Sequence, residues 1–404
     1  MNNIIKKKMM VVTTGRADYG LLYPLIKKIL KSNQIELQLI ATGSHLSENH
    51  GMTLNQIKED QEIRISGIVD LNMSKDTEAG ICAAISVGLV KFSKLYETLC
   101  PDLLIVLGDR YELWSVCMAA VIHKIPIAHI HGGETTSGVI DEAIRHSVTK
   151  MSAFHFASIN EYAARIIQMG ENPDRVFVVG AIGIDNIATT PLMSRTELSE
   201  FTQFNFNKDI ALMTYHPVTL DHYNSAEYQI EQVLNALKKT DFIVLMTMPN
   251  ADTSGTAIYQ KIKTIVKNHP DKFKFVKSLG QRAYLSAMQY SKLMVGNSSS
   301  GIIEAASFKL PVVNIGDRQS GRFKPANVID CDCSEASIKK AIYTACSKEF
   351  KKSISGLKSP FGDGTASKQI LKILEAIDIK KKSLFIKKKF YDLIDPALIF
   401  EREI

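Results

Sequence analysis

Short apolar runs alternate with longer stretches of helical spacing along most of the 404-residue chain. MMVVTT (9–14), ELQLIATG (36–43), DLLIVLGD (102–109), IPIAHI (125–130), FHFAS (154–158) and VFVVGA (176–181) are continuous and rich in Val, Ile and Leu. Strands of a parallel sheet, covered on both faces, have that character. Between them, YPLIKKILKS (23–32), ISVGLVKFSKLYETL (85–99), YELWSVCMAAVIHK (111–124) and INEYAARIIQMG (159–170) repeat apolar residues at helical spacing. The last ends on Gly170, a residue suited to the position just past a helix. The alternation predicts a doubly wound α/β domain.

A second series follows residue 188. LMSRTELSEFTQF (192–204) reads as a linker-like helix, and DIALMTYHP (209–217), FIVLMTMPN (242–250), KFKFVKS (272–278), KLMVGNSSS (292–300) and LPVVNIGD (310–317) read as strands separated by helices. The pattern therefore predicts two Rossmann-like domains in tandem, 1–187 and 188–364, followed by a helix, TASKQILKILEAI (365–377), and a tail to residue 404. The tail sets two lysine triplets, 380–382 and 387–389, around SLFI and ends apolar. It is expected to be a solvated extension packing on a neighbour rather than a membrane anchor.

Composition refines this picture only slightly. Hydrophobic content of 45% and charged content of 23% are ordinary for a globular protein. A net charge of +7 suits an anionic small ligand and does not by itself call for nucleic acid. The six cysteines form no paired framework, and Cys331 and Cys333 make a CxC rather than a zinc motif, so reduced thiols of a cytoplasmic protein are expected. No signal-peptide pattern is visible at the N-terminus, and no run reaches the roughly 18 apolar residues of a membrane span.

Ligands of open α/β sheets bind beyond the carboxyl ends of the strands. The polar residues concentrate there: Arg16 and Asp18 in TTGRADYG, Asp109 and Arg110 in GDRYE, and His129, His131, Glu134, Asp141 and Arg145 in HIHGGETTSGVIDEAIRH. The second series adds His216, Asn250, Asp252 and GNSSSGIIE (296–304). In that last stretch, backbone N–H groups and the hydroxyls of Ser298 and Ser299 make a phosphate cradle, with Glu304 further into the helix. It lacks the Walker A pattern. Arg16, Arg318 and Arg322 offer forks for phosphates. Jointly these residues argue for one interdomain cleft.

Taken together, TTGRADYG, GSH (43–45), GDRYE, HIHGGE, SGVIDEAIRHSVTKMS, YHPVT (215–219), PNAD (249–252), GNSS and GDRQSGR (316–322) resemble the hydrolysing UDP-N-acetylglucosamine 2-epimerases of sialic acid synthesis, especially the bacterial capsule type, over about residues 9–377. The resemblance implies a GT-B-like pair of Rossmann domains with a UDP-sugar in the cleft, no cofactor, and assembly as a dimer or tetramer. It implies elimination of UDP with loss of the C2 proton, giving 2-acetamidoglucal, then hydration to N-acetylmannosamine. Asp109 and Asp141 fall on the family's catalytic carboxylates. Arg16, Asp18, Arg110, His216, Asn250, Ser298, Ser299, Glu304 and Arg318 fall on substrate positions, and Arg145 on a residue that orients a carboxylate.

One departure stands out. Relatives of the animal type carry IEGGE with a catalytic first glutamate, whereas His131 stands there in this chain. His131 or Glu134 is left as the third acid–base group. Zinc on His129, His131 and Glu134 is disfavoured, because GG follows directly and no third histidine lies at a familiar spacing. Rival readings are a hydrolysing 2-epimerase of UDP-2,4-diacetamido-2,4,6-trideoxyglucose, a non-hydrolysing 2-epimerase, a GT-B glycosyltransferase and a nucleotide-sugar sensor.

Overall fold

The structure, a computed structural model, describes residues 6–47, 52–73, 77–136, 140–216, 225–247 and 255–393. The chain divides into two compact units. The first comprises Met1–Thr135, Val139–Asn186 and Gly364–Ile404, the second Thr136–Gly138 and Ile187–Asp363.

The first unit runs β1 (Lys7–Thr13), α1 (Arg16–Leu30), β2 (Ile35–Thr42), α2 (Leu54–Glu59), β3 (Ile65–Val69), α3 (Glu78–Leu99), β4 (Leu103–Leu107), α4 (Glu112–Ile122), β5 (Ile127–Ile130), α5 (Ile140–Met151), β6 (Phe154–Ala157), α6 (Asn160–Gln168), β7 (Val176–Val178) and α7 (Ile182–Thr189). The second runs α8 (Arg195–Thr202), β8 (Ile210–Thr214), α9 (Ala226–Lys238), β9 (Ile243–Thr247), α10 (Gly255–Asn268), β10 (Phe273–Val276), α11 (Gly280–Tyr290), β11 (Leu293–Gly296), α12 (Ser299–Ile303), β12 (Val312–Ile315), β13 (Val328–Cys331), α13 (Glu335–Cys346) and α14 (Lys348–Ser353). The chain then returns to the first unit with α15 (Ala366–Ala376) and α16 (Lys382–Ile386).

Both sheets are wholly parallel. Their orders are β3-β2-β1-β4-β5-β6-β7 and β10-β9-β8-β11-β12-β13, so each reverses direction once, between β1 and β4 and between β8 and β11. That is the Rossmann order, and the two Rossmann-like domains expected from the sequence are present. Alternate residues of each central strand feed opposite cores: Met9 and Val11 lie in one cluster and Met10 and Val12 in the other. In the second unit Ala211 and Met213 are divided in the same way from Ile210 and Leu212.

Two strands were missed, β3 and β13. Both are edge strands with half-exposed residues, so neither shows the continuous apolar signal. Helix α1 begins seven residues before the expected 23–32 segment and runs through Pro24. Proline supplies no N–H to the carbonyl four residues back. That carbonyl, of Gly20, instead accepts from Asn186 Nδ2 at 3.0 Å, so the helix continues past the proline.

Helix α3 is long and apolar enough, by length and composition alone, to be a candidate for crossing a bilayer. Lys91 and Lys94 interrupt any continuous run, and Ala84, Gly88, Phe92 and Tyr96 bury one face within the first unit. All six cysteines are free.

The C-terminal segment closes the first unit. Asp185 caps α15 by accepting from the N–H groups of Ala366 (2.9 Å) and Ser367 (2.7 Å). Lys7 Nζ on β1 donates to the carbonyl of Ile377 at 2.7 Å and to that of Glu375. Residues 378–393 pack on the chain's own first unit rather than extending into solvent, with Phe385 edge-on to Phe154 at 4.9 Å.

Asn186→Ala leaves the Gly20 carbonyl unpartnered beneath Pro24. A loss of about 1–3 kcal/mol is expected, read as a lower urea midpoint for the first unit; an unchanged midpoint would show that water replaces the amide.

Candidate active site

In the first unit, polar residues gather at the carboxyl ends of β1, β4 and β5. Asp18, near the start of α1, is engaged locally: its Oδ2 accepts from the N–H (2.6 Å) and hydroxyl (3.0 Å) of Thr14. It shapes the loop that leaves Arg16 exposed at the head of the helix. His45, in the GSH stretch, is fully buried between the hydroxyls of Thr13 (2.9 Å) and Thr53 (2.8 Å), a satisfied corner.

Arg145 organises the centre. It is 1% exposed, pairs through Nη2 with Asp109 Oδ2, and donates from Nη1 to Glu142 Oε2 (2.6 Å) and to the Glu134 carbonyl (2.9 Å). Glu142 in turn meets His146 Nε2 at 3.1 Å. Asp141 stands on the same first turn of α5. Burial pushes its carboxyl above the usual range, and the charge of Asp109 pushes it further; its own N–H, Arg110 and Arg145 oppose. The two carboxylates thus sit in unlike environments: a guanidinium faces Asp109, whereas burial and a neighbouring carboxylate push Asp141 upward.

Arg110 is half exposed, with Nη2 3.4 Å from Glu112 Oε1. Glu112 is fully buried, and burial pushes its carboxyl up against the pull of Arg110.

The two histidines of HIH separate. His129 Nε2 donates to the Gly108 carbonyl at 2.8 Å, and Nδ1 meets the Thr149 hydroxyl at 3.2 Å. Burial pushes its pKa down to about 3, so it is neutral at pH 7 and ties the residue before Asp109 to the last turn of α5. His131 has a left-handed backbone (φ 65°), and its ring meets different partners from that of His129. Its Nε2 accepts the N–H of Ile182 (3.2 Å), at the head of α7, and its Nδ1 faces Glu134 Oε1 (3.1 Å). The neutral Nδ1–H tautomer satisfies both contacts. Glu134 is 7% exposed and also accepts from Ser158 Oγ at 3.3 Å.

In the second unit, Asn297 joins the strand ends at the switch point. Its Oδ1 accepts the N–H of His216 (2.7 Å), and its Nδ2 donates to the His216 carbonyl (2.9 Å). The Asn297 carbonyl accepts from Arg318 Nη1 (3.1 Å) and Gln319 Nε2 (2.8 Å). Gly296 makes the close approach possible: at φ 142°, a Cβ there would fall 1.9 Å from the Thr214 carbonyl oxygen. Burial, and then Arg318, push the His216 pKa down to about 4.

Ser298 caps α12 by accepting from the Ser300 N–H, Ser299 opens that helix, and Glu304 follows its last residue. Beneath the turn, Ser300 Oγ bonds the Tyr284 hydroxyl at 2.7 Å. Asn250 lies outside the described residues. Asn297, Tyr284, Glu112 and Glu142 were not singled out from the sequence. Asn297, Glu112 and Glu142 stood inside quoted motifs without being named, whereas Tyr284 has no local signal.

A sequence profile described as UDP-N-acetylglucosamine 2-epimerase matches residues 27–375. Among curated relatives, a "GDP/UDP-N,N'-diacetylbacillosamine 2-epimerase (hydrolyzing)" of Campylobacter jejuni is 37% identical over 86% of this chain and 89% of its own. A "UDP-N,N'-diacetylbacillosamine 2-epimerase (hydrolyzing)" of Legionella pneumophila is 36% identical over 94% and 98%. The "Polysialic acid biosynthesis protein P7" of Escherichia coli is 37% identical over 96% and 98%. Among solved structures, the UDP-GlcNAc 2-epimerase of Neisseria meningitidis bound to UDP-GlcNAc aligns with a TM-score of 0.76 at 20% identity, covering 91% and 99%. A putative UDP-N-acetylglucosamine 2-epimerase of Listeria monocytogenes aligns at 0.78 and 19%, covering 96% and 100%.

Fold and relatives define a nucleotide-sugar enzyme built from two Rossmann units. The chain belongs to the UDP-N-acetylglucosamine 2-epimerase family, and within it to the hydrolysing 2-epimerases of nucleotide sugars.

His129 generates a pH prediction. Its folded pKa lies below the ordinary value near 6.5, so the unfolded state binds the extra proton. Stability is complete above about pH 6.5 and falls as pH drops toward 3. His129→Gln, which keeps a donor for the Gly108 carbonyl, is expected to flatten the fall in melting temperature between about pH 6.5 and 5; an equally steep fall in the variant would assign it to other groups.

Proposed function

We propose that the substrate is UDP-2,4-diacetamido-2,4,6-trideoxyglucose, which is UDP-N,N'-diacetylbacillosamine, and that the products are UDP and the free 2-epimeric sugar of manno configuration. The observation that carries this reading is the pair of relatives bearing that sugar in their names, at 36 and 37% identity over most of the chain. A second reading, UDP-N-acetylglucosamine converted to N-acetylmannosamine, is favoured by the polysialic acid relative at equal identity. Both sugars share the UDP group and the chemistry at C1 and C2.

The C2 hydrogen is a poor acid, because no carbonyl adjoins it. It becomes removable as the C1–O bond breaks and positive charge builds on C1. Asp109, paired with Arg145, takes that proton, and UDP departs to leave a glycal. Asp141, whose carboxyl burial pushes upward, delivers a proton to C2 from the opposite face as water adds at C1 and releases its own proton to solvent. The second unit holds UDP: His216, Ser298, Ser299 and Arg318 receive the nucleotide, with Asn250 completing the set. Glu134 is the third acid–base group. While Ile182 occupies His131 Nε2, the pair can exchange a proton only through the carboxylate, and His131 orients it.

Incubation with each UDP-sugar in D₂O, followed by NMR, tests this reading. Expected is UDP together with the 2,4-diacetamido sugar deuterated at C2, with no acceptor required. Turnover of UDP-N-acetylglucosamine alone selects the second reading, and a requirement for an acceptor overturns both. Asp109→Asn and Asp141→Asn should each reduce turnover on the order of 10²-fold or more, with UDP affinity within about tenfold of wild type. Glu134→Gln should fall by roughly 10²-fold, whereas His131→Asn, which tolerates the left-handed backbone, should stay within about tenfold. The reverse ranking would give the third role to His131.

A further inference from the structure

The C-terminal segment beyond the matched family region carries one more feature. Lys388 is three-quarters buried at its side chain, and its ammonium donates to the carbonyls of Lys150 (2.7 Å) and Ser152 (2.5 Å) and to Glu171 Oε2 (2.6 Å). An ammonium has three protons, and each finds one acceptor here. The two carbonyls are at and just beyond the C-terminal end of α5, where a helix leaves such groups without internal partners and where positive charge is favoured.

Glu171 is 2% exposed and also meets Lys150 Nζ (2.7 Å) and His155 Nε2 (3.0 Å). Burial pushes this carboxyl up, but the bonds from His155, Lys150 and Lys388 outweigh burial and bring it to about 2. The segment is anchored on both sides of Lys388. Arg175 donates to the Leu384 carbonyl at 3.2 Å, and the Tyr391 N–H donates to the Gly170 carbonyl at 2.9 Å. A Cβ on Gly170 would fall 2.3 Å from the Phe390 ring, so the glycine is what admits it.

Two paths lead from this latch to the acid–base group. Helix α5 carries Asp141, Glu142 and Arg145 in its first two turns and is held by Lys388 at its other end. His155 pairs in register with His129, which holds the carbonyl beside Asp109 and the hydroxyl of Thr149 on α5.

We propose that Lys388 is a positioning residue of the epimerase: by capping α5 and closing the buried Glu171 pair, the C-terminal segment sets the place of Arg145, Asp109 and Asp141. The inference rests on reading those three as the acid–base group. It places a determinant of turnover beyond residue 375, where the family profile ends.

The test uses full-length Lys388→Met, Lys388→Arg and Phe390→Ala, the last loosening the segment without stranding a buried carboxylate. Turnover is followed with whichever UDP-sugar the wild type uses, together with amide hydrogen exchange. Expected for Lys388→Met is a loss of kcat approaching 10²-fold, as a displacement of about 1 Å produces, with KM within about twofold. Faster exchange should be confined to α5, Lys388→Arg should recover most of the loss, and Phe390→Ala should show a smaller loss of the same kind. Unchanged kcat in a folded Lys388→Met, or a parallel loss of kcat and amide protection throughout the first unit, would overturn the proposal. If Lys388→Met does not fold, Phe390→Ala decides by the same criteria. If the wild type consumes neither UDP-sugar, the proposed function fails on its own; exchange then decides the latch, with unchanged α5 protection in the variants counting against it.

Discussion

A guanidinium sealed from water must be surrounded by anions and carbonyls, and Arg145 imposes that condition on the first unit. Left unpaired, it would cost several kcal/mol. Asp109, Glu142 and the Glu134 carbonyl answer it from three different places in the chain. The surroundings of the two carboxylates differ as a result. Asp109 faces the buried guanidinium, while burial and the nearby Asp109 push the Asp141 carboxyl upward.

Much of this was legible in the chain. Parallel strands covered on both faces leave an unbroken apolar signature, so the interior strands of both sheets stand out, whereas β3 and β13, half exposed at the edges, do not. The expected helical segment opens at Tyr23, seven residues late; the side chain that partners the carbonyl left free by Pro24, Asn186, lies more than 160 residues away. Motifs exposed the polar groups at the strand ends, because charged residues concentrate there against an apolar background. They did not expose the groups behind them. Asn297, Tyr284 and Glu171 act through partners distant in sequence, and no spacing rule connects Lys388 with Lys150. The HIH pair shows the limit in miniature: alternation along a strand put both rings on one face, but the left-handed backbone at His131 ends the alternation at that residue.

The two units reach the same strand order with no close repeat in sequence. Each joins neighbouring strand ends with buried polar side chains, but at different places. In the first unit, His129 and Arg145 tie the ends of β4 and β5 to α5, beside the switch point. In the second, Asn297 spans the switch point itself with a neutral amide, leaving the cation of Arg318 beside the strand ends.

The return of the chain to the first unit has a consequence for synthesis. Strand β1 is made first, yet the lysine at its start is held by carbonyls at the end of α15, and β6 and α5 receive their last partners from residues beyond 380. The second unit is nearly continuous in sequence, from Ile187 to Asp363. On the ribosome its sheet can be complete while the first unit still waits for its closing helix. The unit whose first strand is made early is thus the later of the two to close, and the residues that cap α5 emerge after the second unit is complete.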